Sequence, residues 1–335
     1  MKSVNIKHSR YYPSRYEGFV EGSLGHLKRE VICEKHPVRF PLMLNIEPTS
    51  ACNLSCYVCT RGKSQKAVGY MDWALYTKLI DEIGDHEPLY MLNLHKDGEP
   101  LLHPKLPQMI QTAKEKGVSK VIHFNTNGVL LCGDRARELL DSGIDDITVS
   151  IDAAREETFQ KIKGKSLLST VERNVEEFLS LREKRGYSSP FLRVKIMEFS
   201  DTEDEIEEFI DKWEGVADEV QVSGIHNWGG GIHGVKQSIA IPGERFPCVF
   251  LWYALAINWN GGVSLCCVDW RQSDTAGNLN DQTLQAIWQG EQMKKIRSAH
   301  IDKRWADVPA CHHCFNWAGG EDISDWAEQQ TEFYK

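Results

Sequence analysis

Six short stretches read as β-strands, and helical segments separate them. The strands lie at 42–47, 89–95, 120–125, 146–151, 192–199 and 219–224. Apolar residues recur at helical spacing across 72–83, 106–115, 134–140, 156–163, 169–184 and 203–213. Strands alternating with helices imply βαβ units and a parallel sheet. The strands constrain the fold further. Leu44, Ile46, Leu92, Ile122, Phe124, Ile147, Val149, Val194 and Ile196 alternate with Asn45, Glu47, Asn93, His123, Asn125, Thr148, Ser150, Arg193 and Lys195. Side chains on a strand alternate faces, and a strand packed on both faces would be apolar throughout. One face is therefore expected under helices, and the other polar and enclosed. Unpaired buried polar groups are costly, so that face should hold a polar ligand, with some of its residues pairing among themselves. The predicted fold class is α/β, a partial six-stranded parallel barrel with a wet lumen.

The remaining composition limits the function classes. The chain has 335 residues, room for such a barrel and a small second domain. A net charge of −9 argues against broad binding of nucleic acid or anionic membrane. No apolar window has the length of a membrane span, and residues 1–8 lack the apolar core of a signal peptide. The expectation is a cytoplasmic protein with no nucleic-acid or membrane partner. Ten cysteines in a reducing compartment point to metal or redox chemistry. Cys33 and Cys132 stand apart and read as small hydrophobes; the others form two groups.

The first group, Cys52, Cys56 and Cys59, follows the first strand at C-x3-C-x2-C spacing. Three thiolates on one loop hold three corners of a metal site and leave the fourth open. Structural zinc prefers four closed ligands, whereas close cysteine spacing suits an iron–sulfur cluster. Ligands bind at the carboxyl ends of parallel strands. Those ends carry Asp97-Gly98-Glu99-Pro100, Asn125-Thr126-Asn127-Gly128 and Ser150-Ile151-Asp152. Together the four segments resemble the radical S-adenosylmethionine (SAM) superfamily. The resemblance implies that SAM takes the open iron of a [4Fe–4S] cluster held by the three cysteines. It also implies that the Gly98–Glu99 segment meets the SAM amino group. Asp97 replaces a family glycine, so a backbone carbonyl or a carboxylate could make that contact. Asn125 or Asn127 would face the ribose, with Ser150 and Asp152 beside the cofactor. A reduced cluster would then cleave SAM to a 5′-deoxyadenosyl radical, with a flavodoxin- or ferredoxin-type reductant supplying the electron.

The second group is Cys248, Cys266, Cys267, Cys311 and Cys314. Residues 255–259 and 263–268 read as a hairpin with an Asn260-Gly261 turn, and 283–300 reads as one helix with Leu284, Ile287, Trp288, Met293 and Ile296 inward. A four-cysteine zinc site is one reading of this group. The arrangement also resembles the SPASM/twitch region of radical SAM enzymes, a small α+β domain. No cysteine follows Cys314, so the resemblance implies one auxiliary [4Fe–4S] cluster on Cys248, Cys266, Cys311 and Cys314. Gly261 with Cys266 and Gly262 with Cys267 both satisfy the G-x4-C spacing of that region, so Cys267 is the alternative ligand; with Cys266 as ligand, Cys267 would be left as a thiol. The expected division is an arm at 1–39, containing Tyr11, Tyr12, Tyr16 and Phe19, a barrel at 40–235 and the auxiliary domain at 236–335. The arm is too short for a winged-helix leader-binding domain.

Similarity to the aminocyclitol dehydrogenases of this group implies oxidation of an alcohol to a ketone on a small polar substrate, with the auxiliary cluster taking an electron. The lumen offers Lys195, Arg193, His95 and His123 as bases or hydroxyl binders. Two alternatives stand beside it: radical epimerisation with Cys267 as hydrogen donor, and modification of a ribosomally made peptide.

Overall fold

The computed structural model describes residues 18–19, 26–35, 38–63, 66–225, 227–232, 243–319 and 321–329. Tyr11, Tyr12, Tyr16 and His226 lie outside them, as does the expected 235/236 boundary. The barrel strands are β1 (Met43–Ile46), β2 (Met91–Asn93), β3 (Ile122–Thr126), β4 (Asp146–Ser150), β5 (Phe191–Glu198) and β6 (Glu219–Gly224). They pair in parallel in chain order. A short α1 (Arg29–Glu34) precedes them; α2 (Trp73–Gly84), α3 (Leu106–Glu115), α4 (Gly133–Asp141), α5 (Glu156–Lys163), α6 (Leu168–Lys184) and α7 (Ile206–Trp213) connect them.

The expected division of faces is present. Leu44, Ile46, Leu92, Ile122, Phe124, Ile147, Val149, Leu192, Val194 and Ile196 are fully buried beneath Tyr76, Ile80, Ile110, Leu139, Val175 and Phe209 of the helices. Asn45, Asn93, His123, Asp146, Thr148 and Arg193 are also buried, on the opposite face. Helix starts and stops follow local chemistry. The Asp72 side chain accepts from Ala74 N at 2.8 Å and opens α2. Gly164 closes α5 with φ +78°, where a Cβ would meet Ser55 Oγ at 2.5 Å.

The carboxyl-terminal part differs from expectation in two ways. The hairpin does not stand apart from the barrel: β7 (Ala254–Ile257) pairs in parallel with β1, aligning Asn45 with Ala256. β8 (Gly262–Ser264) and β9 (Thr275–Asn278) then extend the sheet antiparallel, giving the order β6-β5-β4-β3-β2-β1-β7-β8-β9. The exposed backbone groups of a β1 edge are thereby paired, and Leu255 and Ile257 continue its apolar packing.

The helix read across 283–300 is also two helices, α8 (Leu284–Trp288) and α9 (Glu291–Ile301). Gly290 is extended between them. The buried Arg297 guanidinium donates to the Trp288 carbonyl at 2.9 Å and to the Leu251 carbonyl at 3.0 Å, which satisfies the end of α8. Two short helices, α10 (Pro309–His312) and α11 (Ser324–Gln329), follow. Arg29 at the start of α1 ties this end back through Asp325, at 2.6 Å.

Candidate active site

The cysteine loop leaves β1 and rests on two neighbours. Ser55 N donates to Lys163 O at 3.3 Å and Tyr57 N to Ile162 O at 3.1 Å, so the last turn of α5 holds it from one side. The loop after β2 holds its entrance from the other. Glu99 N donates to Ala51 O at 2.7 Å, and a Cβ on Gly98 would lie 2.0 Å from Thr49 O. Only glycine permits that approach.

Glu99 is buried, and its carboxylate accepts from Leu101 N at 3.1 Å, Thr126 Oγ1 at 2.7 Å and Asn127 N at 2.7 Å. Its side chain thus clamps the ends of β2 and β3 together. Asn127 reaches the cysteine loop, donating to Asn53 Oδ1 at 2.7 Å, with Cys52 Sγ at 3.9 Å.

Beneath the loop lies a buried ion pair, Lys163 Nζ to Asp152 Oδ2 at 2.5 Å. Lys163 also donates to Ser150 O at 2.9 Å. Asp152 holds φ +62°, and its Oδ1 has no partner among the described residues. Burial pushes the thiol of Cys56 up to about 11, aided by Cys59, Asp152 and Cys52 and opposed by Lys163. Cys52 and Cys59 are raised by the same burial. Such thiols are costly to ionise alone, whereas coordination to a cation deprotonates them outright.

The polar face divides into committed groups and one that stands alone. Arg193 donates to Thr148 Oγ1 at 2.7 Å and to Asp146 at 3.1 and 3.3 Å. His123 Nδ1 donates to the same carboxylate at 2.7 Å. Both residues, expected as catalytic candidates, therefore belong to a buried ion network around Asp146.

Asn125, expected at the ribose, lies 3.1 Å from His123 Nε2 and 2.9 Å from His95 Nε2. Its backbone N donates to His95 Nδ1 at 3.2 Å. His95 Nε2 must then carry the proton. The structure sets the Asn125 oxygen at His123 and its nitrogen at His95; with His123 Nδ1 and His95 Nε2 protonated, turning the amide over would satisfy both rings. Burial, His123 and Lys195 hold His95 well below the usual imidazole range.

Lys195, opposite Ser150 in the sheet register, is half-buried; its carbonyl accepts from Ile151 N and Asp152 N, but its Nζ makes no hydrogen bond or ion pair with the described residues. Burial pushes its ammonium down, and Asp152 opposes the shift. Asn93 Nδ2 donates to Asn45 Oδ1 at 3.0 Å, leaving Asn45 Nδ2 and Asn93 Oδ1 unpartnered among the described residues.

The second cysteine group is drawn together by the turn Val249–Trp252 after Cys248, the end of β8 and α10. The thiols of Cys248, Cys266, Cys267, Cys311 and Cys314 are all raised by burial, Cys248 up to about 12 and Cys267 up to about 11. Cys266 feels Cys267, Cys314 and Cys311. Cys267 instead feels Lys96 and Asp97 most. Lys96 is buried, paired with Asp97 at 2.6 Å and 3.5 Å from Asp269 O, so the end of β2 meets this loop.

Backbone amides point at sulfur in both groups: Arg61 N at 3.4 Å from Cys59 Sγ, and Asn316 N at 3.4 Å from Cys314 Sγ. Among the described residues no three His, Cys, Asp or Glu side chains converge on a single-ion position. The all-thiol donors with amide hydrogen bonds to sulfur suit iron–sulfur clusters.

Two family models match this chain: the radical SAM superfamily over residues 46–213, and the SPASM iron–sulfur cluster-binding domain over 248–315. The chain belongs to the radical SAM superfamily. Radical SAM domains bind SAM and a [4Fe–4S] cluster, and SPASM domains bind further iron–sulfur clusters. The chain is 28% identical over 154 residues to a tungsten-containing aldehyde ferredoxin oxidoreductase cofactor-modifying protein of Pyrococcus furiosus, covering 46% of this chain and 43% of that one. It thus spans less than half of that relative's length. Similarity to the SAM-dependent 2-deoxy-scyllo-inosamine dehydrogenase of Niallia circulans is lower, 22%, but covers 87% of this chain and 97% of that enzyme. The crystal structure of BtrN with AdoMet and 2-DOIA shares the fold, with a TM-score of 0.56 at 20% identity over 82% of this chain and 92% of that one. No described helix is long and apolar enough to cross a membrane.

Lys163, Asp146, Lys96 and Asn53 join the site without having been assigned a role from the sequence. Lys163 carried one signal, a lysine at the end of a predicted helix followed by glycine. The others had none beyond their residue type.

Proposed function

We propose that this radical SAM enzyme oxidises a secondary alcohol of a small polar substrate, such as an aminocyclitol or sugar, to a ketone. The observation that carries the reading is Lys195, whose side-chain nitrogen stands uncommitted on the polar strand face. Burial lowers its pKa and so favours the neutral amine, the form that accepts a hydroxyl proton. Asn45 and Asn93 add an unpartnered donor and acceptor for substrate hydroxyl or amine groups. The near full-length similarity to an aminocyclitol dehydrogenase supports the same class.

Cys52, Cys56 and Cys59 would hold the SAM-binding cluster, with Gly98, Asn127 and Ser150 flanking SAM. Cys248, Cys266, Cys311 and Cys314 would hold one auxiliary cluster. When bound, these groups supply a carbon radical that removes the carbinol hydrogen and an acceptor for the remaining electron. The hydroxyl proton goes to Lys195, and the carbonyl product leaves. Glu99, Asn125 and Asp152 position the strand ends around the cofactor. A small reductant protein of flavodoxin or ferredoxin type would supply the initiating electron.

Lys195→Gln tests this reading. Turnover of an accepted aminocyclitol should fall about 10²- to 10⁴-fold, with SAM cleavage retained. Unchanged turnover and pH profile would remove Lys195 as the base. Epimerisation is the second reading. Cys267 favours it, as a thiol outside the four-ligand set that lies beside Lys96 and Asp97 at the end of β2.

A further inference from the structure

We propose that Arg245 sets the reduction potential of the auxiliary cluster, an inference that rests on the four-cysteine ligand set above. Its Nη2 donates to the Cys311 carbonyl at 2.9 Å. Its guanidinium lies 4.8 Å from the ring of Trp305 and 5.8 Å from that of Trp317. Trp317 is itself fixed edge-on against Phe246 at 5.0 Å. The cation is thus held in place by an aromatic wall and a backbone carbonyl.

Its Nε is buried and has no partner among the described residues. The ionisable groups near enough to act on it are Cys311, Cys314 and Cys248, with no carboxylate among them. A buried guanidinium N–H without an acceptor costs free energy. The thiolates and sulfides of a cluster ligated by these cysteines supply the missing acceptor and the missing negative charge.

The sign of the effect follows from charge. Reduction adds an electron to a group that is already anionic. A fixed cation beside it favours the reduced form and raises the potential. Arg245 therefore makes the auxiliary cluster a readier acceptor for the second electron of alcohol oxidation. It is a positioning residue; the substrate never needs to meet it.

The test is a redox titration followed by electron paramagnetic resonance, on the full chain after anaerobic reconstitution. Wild type, Arg245→Gln and Arg245→Lys are compared, each with its iron counted first. Arg245→Gln should shift the oxidised-to-reduced ratio of the auxiliary cluster at least about tenfold, which is 59 mV for one electron, toward more negative potential. Arg245→Lys should keep most of the wild-type value, and the SAM-binding cluster should not move. An unshifted potential in Arg245→Gln at about eight iron per chain overturns the proposal. So does a loss of about half the iron in both variants, which would make Arg245 a support for cluster assembly. Wild type with only about four iron would instead sink the ligand set, and this proposal with it.

Discussion

Replacing Lys163 by Met should destabilise the protein more than any other single change at the cysteine loop. The ammonium is buried, pairs with Asp152 at 2.5 Å and donates to Ser150 O at 2.9 Å. Its removal leaves both oxygens of the buried Asp152 carboxylate without a side-chain partner, since Oδ1 already lacks one among the described residues. Breaking one side of a buried pair costs about 3 to 5 kcal/mol. With an unfolding entropy of about 2.1 cal/mol/K per residue, each kcal/mol lowers the Tm of a 335-residue chain by about 1.4 °C, so a fall of about 4 to 7 °C is expected. The double variant Lys163→Met with Asp152→Asn should recover at least half of the loss, because no unpaired charge remains and Asn tolerates the left-handed backbone at 152. Urea unfolding of the three proteins measures this. A cost under about 1 kcal/mol for Lys163→Met, or no recovery in the double variant, would show that the pair does not anchor the loop.

Other expectations concern separate links in the account. Gly98→Ala should abolish cluster loading at the cysteine loop, since its Cβ meets Thr49 O at 2.0 Å; normal iron content would refute the required approach. Cys267→Ala should keep about eight iron per chain and Cys266→Ala about four, and the reverse pattern would exchange the two roles. His95 is depressed in the folded state, mainly by burial. Its contribution to stability is therefore complete above the unfolded pKa near 6.5 and is lost as pH falls below it, where only the unfolded chain takes the proton. That slope is at most about 1.4 kcal/mol per pH unit. His95→Gln should flatten it between about pH 6.5 and 5, and an identical slope would show that His95 is not held neutral.

Much of the barrel was legible because its signals are local. Period-two alternation around Asn45, His123 and Lys195 needs only strand geometry to be read as an enclosed polar face. The cysteine loop and the strand ends announce themselves by spacing. What stayed hidden depends on contacts far apart in the chain. Nothing near Arg193 says that Asp146 and Thr148 will absorb its guanidinium, so it reads as a catalytic candidate until the sheet register is known. The same holds for Glu99, whose partners Thr126 and Asn127 lie on the next strand end. The pairing of β7 with β1 joins residues on either side of the whole barrel, and the break at Gly290 reflects Arg297 capping Trp288 rather than a strong local stop.

The central claim is that the polar lumen hosts alcohol oxidation. The reconstituted, reduced enzyme should be given SAM and aminocyclitols deuterated at the carbinol carbon, and the products weighed. The account predicts a ketone lacking two hydrogens and deuterium transferred into 5′-deoxyadenosine. A product of unchanged formula that gains one deuterium from D2O when unlabelled substrate is used would contradict it and move the chemistry to the thiol of Cys267.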